Sequence, residues 1–250
     1  MFAVMDERVL VGRVALVTGG SRGIGRGIAQ TLARAGAAVA VNYRSRQEHA
    51  AATVAEIERA GGTALAVRAD VSMRAEVEAM VERVESELGP VDVLVNNAGI
   101  ATIRGVDDLT EEDFDQTLAV NLKSAFLCTQ AVISGMRQRG WGRIVNVSSV
   151  AARGAGGIGV HYNASKAGLE GLTRGYAARL AADGITVNAV APGLIDTEMA
   201  VPLKESGVAD RLPVGRIGTP EEIGQAVLMM IGNGFLTGQT VAVNGGGSFL

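Results

Sequence analysis

A single cysteine, Cys128, stands in 250 residues, which excludes an internal disulfide and fits a reducing compartment. It lies in the apolar-rich run Ser124–Gln130 and reads as a small buried hydrophobe rather than a reactive thiol. Only two histidines occur, His49 and His161, and no Cys/His cluster has zinc-ligand spacing, so no metal site is expected and a metal-dependent dehydrogenase is disfavoured. No charge of one sign dominates: the formal net charge is -3, which leaves no electrostatic footprint for nucleic acid. No apolar run approaches the roughly 20 residues of a membrane span. Asp6, Glu7 and Arg8 interrupt the amino terminus before a secretory signal can form, so a cytoplasmic location is expected. Proline is scarce, with five in all, and four of them (Pro192, Pro202, Pro213, Pro220) share one late region with Gly193, Gly207, Gly215 and Gly218. Within it, residues 196–218 are the candidate substrate lid.

Glycine, by contrast, is abundant: 34 residues, roughly twice the average usage of about 7%, which without a repeat implies many tight turns and close backbone contacts. Short β-branched runs alternate with stretches of helical periodicity. The first is Val14–Thr18; Ile24, Ile28 and Leu32 follow at spacing four, and Ala38–Val41 comes next. The pattern continues through Ala64–Val67, Val91–Val95, Arg143–Val147, Ile185–Val190 and Thr240–Val243, giving seven candidate strands. Such alternation implies βαβ units and a parallel sheet. No linker divides them, so the expectation is an α/β fold: one doubly wound, seven-stranded domain over residues 12–250 with helices on both faces, preceded by an extension of residues 1–11.

The turn after the first strand of such a sheet points backbone N–H groups and a helix amino terminus at the ligand crevice. Thr18-Gly-Gly-Ser-Arg-Gly-Ile-Gly25 occupies that turn. Gly19 is expected to permit the tight bend, Gly23 to let a pyrophosphate approach and Gly25 to allow close packing, with Ser21, Arg22 and Ile24 completing the cofactor-binding stretch. A turn that binds nothing is the bland alternative. A free ribose 2′-hydroxyl calls for an acid roughly 20 residues past the glycines. Residues Asn42, Tyr43, Arg44 and Ser45 fill that window without a carboxylate. Arg44 and Ser45, with Arg22 closing from the other side, suit a 2′-phosphate, so NADP(H) is the preferred cofactor and NAD(H) stays open.

Tyr162 and Lys166 lie four apart, on one face of a helix. A nearby ammonium favours the phenolate and makes a tyrosine a usable acid or base. The chain resembles the short-chain dehydrogenase/reductase family from Val14 to about Gly247. The resemblance rests on the glycine loop, Asn96-Asn-Ala-Gly99, Asn121, Ser149, Tyr162 with Lys166, and Pro192-Gly193, in that order. It implies that Ser149 hydrogen-bonds the substrate oxygen and Tyr162 is its proton partner. Lys166 then binds the nicotinamide ribose and lowers the tyrosine pKa, and Asn121 holds a water in the proton relay. Asp70 and Val71 should contact the adenine, Asn97 and Gly99 should line the ribose, and Ile195 with Thr197 should meet the carboxamide. Asn96, Ser148 and His161 read as structural.

Within the family the chain is most similar to β-ketoacyl-acyl-carrier-protein reductases, through Asn42-Tyr-Arg-Ser, Ala191-Pro-Gly-Leu-Ile-Asp-Thr-Glu-Met199 and the ending from Leu236 to Gly246. That implies reduction of a 3-oxoacyl thioester, with dehydrogenation of a sugar, steroid or other secondary alcohol as the alternative. The intact Ser149, Tyr162 and Lys166 argue against a non-catalytic cofactor-sensing module. Acyl carrier protein is disfavoured as a partner because Gly140, Trp141 and Asp183 stand where such reductases tend to present cations. The resemblance also implies a homotetramer with the Tyr162 helix at one interface.

Overall fold

The computed structural model describes residues 9–198 and 212–249. Seven strands form one sheet in the order β3-β2-β1-β4-β5-β6-β7, every neighbouring pair parallel. They are β1 (Val14–Val17), β2 (Ala38–Tyr43), β3 (Thr63–Arg68), β4 (Val91–Asn96), β5 (Gly142–Val147), β6 (Ile185–Pro192) and β7 (Thr240–Val243). Strand β1 stops one residue short of the run expected from sequence, at Val17, and each of the other six contains its run. The order reverses between β1 and β4, so their carboxyl ends open the crevice typical of a topological switch point.

Both faces of the sheet are covered, which is why its central strands are mostly apolar, with the few buried polar residues such as Asn96 and Asn146 hydrogen-bonded. On one face, Val17, Val39 and Val41 pack with Ile28, Leu32, Ile223 and Met230 of helices α1 (Gly23–Arg34) and α7 (Pro220–Gly232). On the other, Leu16 and Leu94 pack with residues of α3 (Arg74–Glu87), α5 (Ser124–Arg139) and α6 (Val160–Leu180). Helices α2 (Gln47–Arg59) and α4 (Glu111–Leu118) complete the described set. Cys128 lies in the second core, and burial pushes its thiol up to about 12, as an inert core position requires.

Leu10, placed by sequence in the extension, is buried and donates its N–H to the Ala35 carbonyl, so chain before residue 12 is already part of the packed fold. Of the lid candidate, residues 199–211 lie outside the described residues. Its flanks are tied together: Gly218 N donates to Leu194 O at 3.0 Å and Asp196 N to Gly218 O at 2.8 Å. Among the described residues no helix is long and apolar enough to cross a membrane.

Candidate active site

The loop leaving β1 is shaped by residues far along the chain. Thr18 Oγ1 accepts the N–H groups of Asn97 and Ala98 at 2.9 and 3.0 Å, while Asn97 Nδ2 donates to the carbonyls of Thr18 and Gly19. From β2, Asn42 Oδ1 accepts Gly19 N–H at 3.1 Å and its amide nitrogen donates to Val67 O and Ala69 O. Thr53 of α2 holds the Ser21 carbonyl. Gly19 has φ +60°, the left-handed region that favours glycine. A Cβ on Gly25 would collide with Gly19 O and the Asn97 amide, so its close packing is against the loop itself rather than against a strand. Helix α1 starts at Gly23 without a side-chain cap and without acidic residues in its first turn, so its first N–H groups are free of internal carboxylate partners.

At the end of β2 the charges pair differently from the expected Arg22–Arg44 clasp. Arg44 turns to Asp70, at 3.6 Å. Burial works to raise the Asp70 carboxyl, but hydrogen bonds from Ser72 and the Arg44 charge outweigh it and hold the group below its ordinary range. Arg22 instead meets Glu198 Oε2 at 2.6 Å, and Arg46 reaches the same oxygen at 3.3 Å. The cause is Coulombic: each arginine has taken the carboxylate within its reach. Ser45 is exposed and Val71 is buried.

Beyond the carboxyl ends of β4 and β5 lies the second cluster. Ser149 caps the 3₁₀ turn Val150–Ala152, its Oγ accepting Ala151 N–H at 3.1 Å, and lies close enough to Tyr162 to act on its phenol. Lys166, one turn along α6, is buried and donates from Nζ to Val147 O at 2.8 Å. Burial pushes its pKa down to about 8. Tyr162 is raised above its usual value by burial, opposed by the Ser149 hydrogen bond. Lys166 Nζ lies 5.7 Å from the Tyr162 ring centre, with burial the main influence on the phenol.

Asn121 sits in a π-helical turn, Ala119–Lys123, that joins α4 to α5. Such turns are rare and concentrate at functional sites. Its Oδ1 accepts Ile100 N–H at 2.8 Å and its Nδ2 donates to Ile100 O and Ser165 Oγ, so the side chain is committed to positioning the segment after Gly99. A Cβ on Gly99 would lie 3.3 Å from Asn121 Oδ1 and 3.7 Å from Lys166 Nζ, which places the three at one point. Ile195 is buried, and the Thr197 methyl would lie 3.3 Å from a Cβ on Gly23, so the segment after β6 reaches the glycine loop.

The structural readings agree with the geometry. Asn96 donates to Asn146 across the sheet at 2.9 Å, Ser148 Oγ to Lys166 O, and fully buried His161 bonds Thr102 O through Nε2. Sequence reasoning missed Asn42 as the loop's anchor and Asn163, whose amide donates to Ala151, Ala155 and Gly154 carbonyls and fixes the loop after Ser149. Near that loop is a cavity of about 270 Å³ lined by Arg104, Val106, Gly156, Ile158 and Val160. A larger groove of about 750 Å³, away from this chemistry, runs between α4, α5 and α6 past Leu122, Phe126, Leu172 and Tyr176.

These features fit a dinucleotide. An uncapped helix amino end and a loop with no room for a side chain at Gly25 suit a pyrophosphate, and the arginines beyond suit further anionic charge. The sequence model for short chain dehydrogenase matches residues 13–207. An acetoacetyl-CoA reductase of Rhizobium meliloti is 46% identical over 244 residues, covering 95% of this chain and 99% of its own. A 3-oxoacyl-[acyl-carrier-protein] reductase of Synechocystis is 41% identical over 240 residues, covering 95% and 97%. Among solved structures, a gluconate 5-dehydrogenase from Burkholderia cenocepacia in complex with NADP and tartrate superposes with a TM-score of 0.89 at 36% identity, covering 96% of this chain and 97% of its own.

Proposed function

The chain belongs to the short-chain dehydrogenase/reductase family, and from that premise we propose that it reduces the carbonyl of a 3-oxoacyl thioester to a hydroxyl with NADP(H). The observation that carries the reading is the convergence of Ser149, at the turn after β5, with Tyr162 and with buried Lys166 one helical turn along α6. Two hydroxyls side by side hold a carbonyl oxygen and stabilise it as negative charge develops. Tyr162 OH delivers the proton to that oxygen. The cofactor, when bound, supplies the hydride. In the proposed site Gly19, Ser21, Gly23, Ile24 and Gly25 hold the pyrophosphate, Arg44 and Ser45, with Arg22 closing from the other side, the phosphorylated ribose, and Asp70 and Val71 the adenine. Asn97 and Gly99 line the other ribose with Lys166, while Ile195 and Thr197 meet the carboxamide. Lys166, kept off the bulk by burial, favours the phenolate as the proton leaves, and Asn121, whose side chain braces the segment after Gly99, holds a water in the proton relay.

Support for the acyl class comes from the names of the two relatives and from exposed Ile103, Val106 and Val160 beside the smaller cavity, apolar surface suited to an acyl arm. For the carrier, we favour a reductase indifferent to whether coenzyme A or a carrier protein bears the chain. Asp183 is held by Arg137 at 2.7 Å, so neither group presents a free charge to an acidic partner. The test is kcat/KM for one 3-oxoacyl chain on both carriers at low and high salt. Similar values with little salt dependence are expected; a large, salt-sensitive advantage for the protein-borne chain would show a dedicated carrier-protein enzyme. The gluconate dehydrogenase likeness favours a second reading, oxidation of a sugar acid. Turnover of gluconate with NADP⁺ and none of acetoacetyl-CoA would establish it instead. The proposed assembly is a homotetramer, for which the largely apolar groove along α4, α5 and α6 is the candidate contact face.

A further inference from the structure

Glu198 lies in the segment after β6, three residues past Ile195, on the side of the crevice assigned to the nicotinamide. Its carboxylate nevertheless reaches Arg22 of the glycine loop at 2.6 Å and Arg46 of the β2–α2 connection at 3.3 Å. Arg46 is also the residue preceding α2, whose amino end carries no side-chain cap. His49, in the first turn of that helix, adds a third attraction on the same carboxylate. The hydrogen bond from Arg22, with the charges of Arg22 and Arg46 and the attraction of His49, outweighs the opposing burial and keeps Glu198 below the usual carboxylate range. Neighbouring charges are engaged elsewhere: Glu56 by Arg26 and Gln30, and Arg44 by Asp70. The result is a cradle for one anion, built from Arg22, Arg46 and the start of α2, with a carboxylate of the chain's own seated in it.

We propose that Glu198 is a cofactor-specificity residue, its carboxylate occupying the Arg22–Arg46 pair that a ribose 2′-phosphate engages, and that Arg46 is therefore a phosphate ligand alongside Arg22. The inference rests on the cofactor site proposed above, extending it to two residues that the β2 window did not include. A phosphorylated cofactor must exchange one anion for another, and its second negative charge favours the exchange. An unphosphorylated cofactor leaves the pair with Glu198 untouched. The carboxylate thereby lowers the affinity for the phosphorylated form alone.

The experiment is direct binding by calorimetry of NADP⁺, NAD⁺, 2′,5′-ADP and 5′-AMP to the wild-type chain, Glu198→Gln, Arg46→Ala and the double variant. Glu198→Gln should tighten NADP⁺ and 2′,5′-ADP by about three- to tenfold, the scale of one or two exposed ion pairs, and leave NAD⁺ and 5′-AMP unchanged. Arg46→Ala should weaken the two phosphorylated ligands by a similar factor, and in its presence the gain from Glu198→Gln should shrink. Equal shifts for phosphorylated and unphosphorylated ligands, no shift, or weaker NADP⁺ binding by Glu198→Gln would overturn the inference. The wild-type NADP⁺/NAD⁺ ratio tests the cofactor reading separately: a preference for NAD⁺ would refute that reading, while Glu198→Gln would still be required to move the ratio toward NADP⁺.

Discussion

At the end of the crevice proposed for catalysis Lys166 is buried on the carbonyl of Val147, with no carboxylate beside it among the described residues. At the ribose end Arg22 and Arg46 stand about half exposed against Glu198. The first cation is held where water cannot solvate it, at a cost to stability that only chemistry explains; the second pair is screened by solvent and individually weak. Substitutions at the buried end should therefore act steeply on turnover, and those at the exposed end gently on affinity.

The steepest effect is expected from Tyr162→Phe, which deletes the proton donor and little surface. Turnover should fall by at least about 100-fold while the dissociation constant of the cofactor changes little, as steady-state rates and titration would show. Near wild-type turnover would remove Tyr162 from the mechanism. Lys166→Met should lower turnover and cofactor affinity together, since the ammonium faces both phenol and ribose in the proposed site; loss of affinity alone would deny it an electrostatic role.

The same variant sharpens the contrast through pH. Lys166 releases its proton near 8 in the folded chain but near 10.5 when unfolded, so between those values the unfolded state binds more protons. Stability of the wild type should then rise with pH across that window, by an amount on the order of 3 kcal/mol if fully expressed, relative to Lys166→Met. Denaturant titrations of both proteins at several pH values measure it, and parallel curves would contradict the buried-cation account.

At the exposed end, Arg22→Ala should weaken NADP⁺ by about three- to tenfold with little change for NAD⁺. Arg44→Ala should do least, under about threefold, because Arg44 is already drawn to Asp70 and is more than half exposed. A larger loss from Arg44 than from Arg22 would reverse the order of the two arginines and restore Arg44 as the main phosphate ligand.

Much of this was legible in the sequence where the signal is local. Seven β-branched runs become seven strands because parallel strands buried on both faces must be apolar along their length. Tyr162 and Lys166 meet because four residues make about one helical turn. What escaped depends on distance or on irregularity. Asn42 reads as a polar strand end, and nothing nearby announces that it anchors the glycine loop and the carbonyls at the end of β3, those of Val67 and Ala69. Arg46 and Glu198 are 152 positions apart, so only the closed fold brings them together. The π turn around Asn121 is invisible to helical periodicity, which cannot register a locally widened turn.

At the end of the sheet opposite the crevice, Trp141 lies between the guanidinium groups of Arg13 and Arg143, 3.9 and 4.4 Å from its ring centre. It is the chain's one tryptophan. Its emission is thus a built-in optical reporter of whether the starts of β1 and β5 are assembled, spatially removed from any bound nicotinamide, so that unfolding and ligand binding can be followed as separate signals in one cuvette.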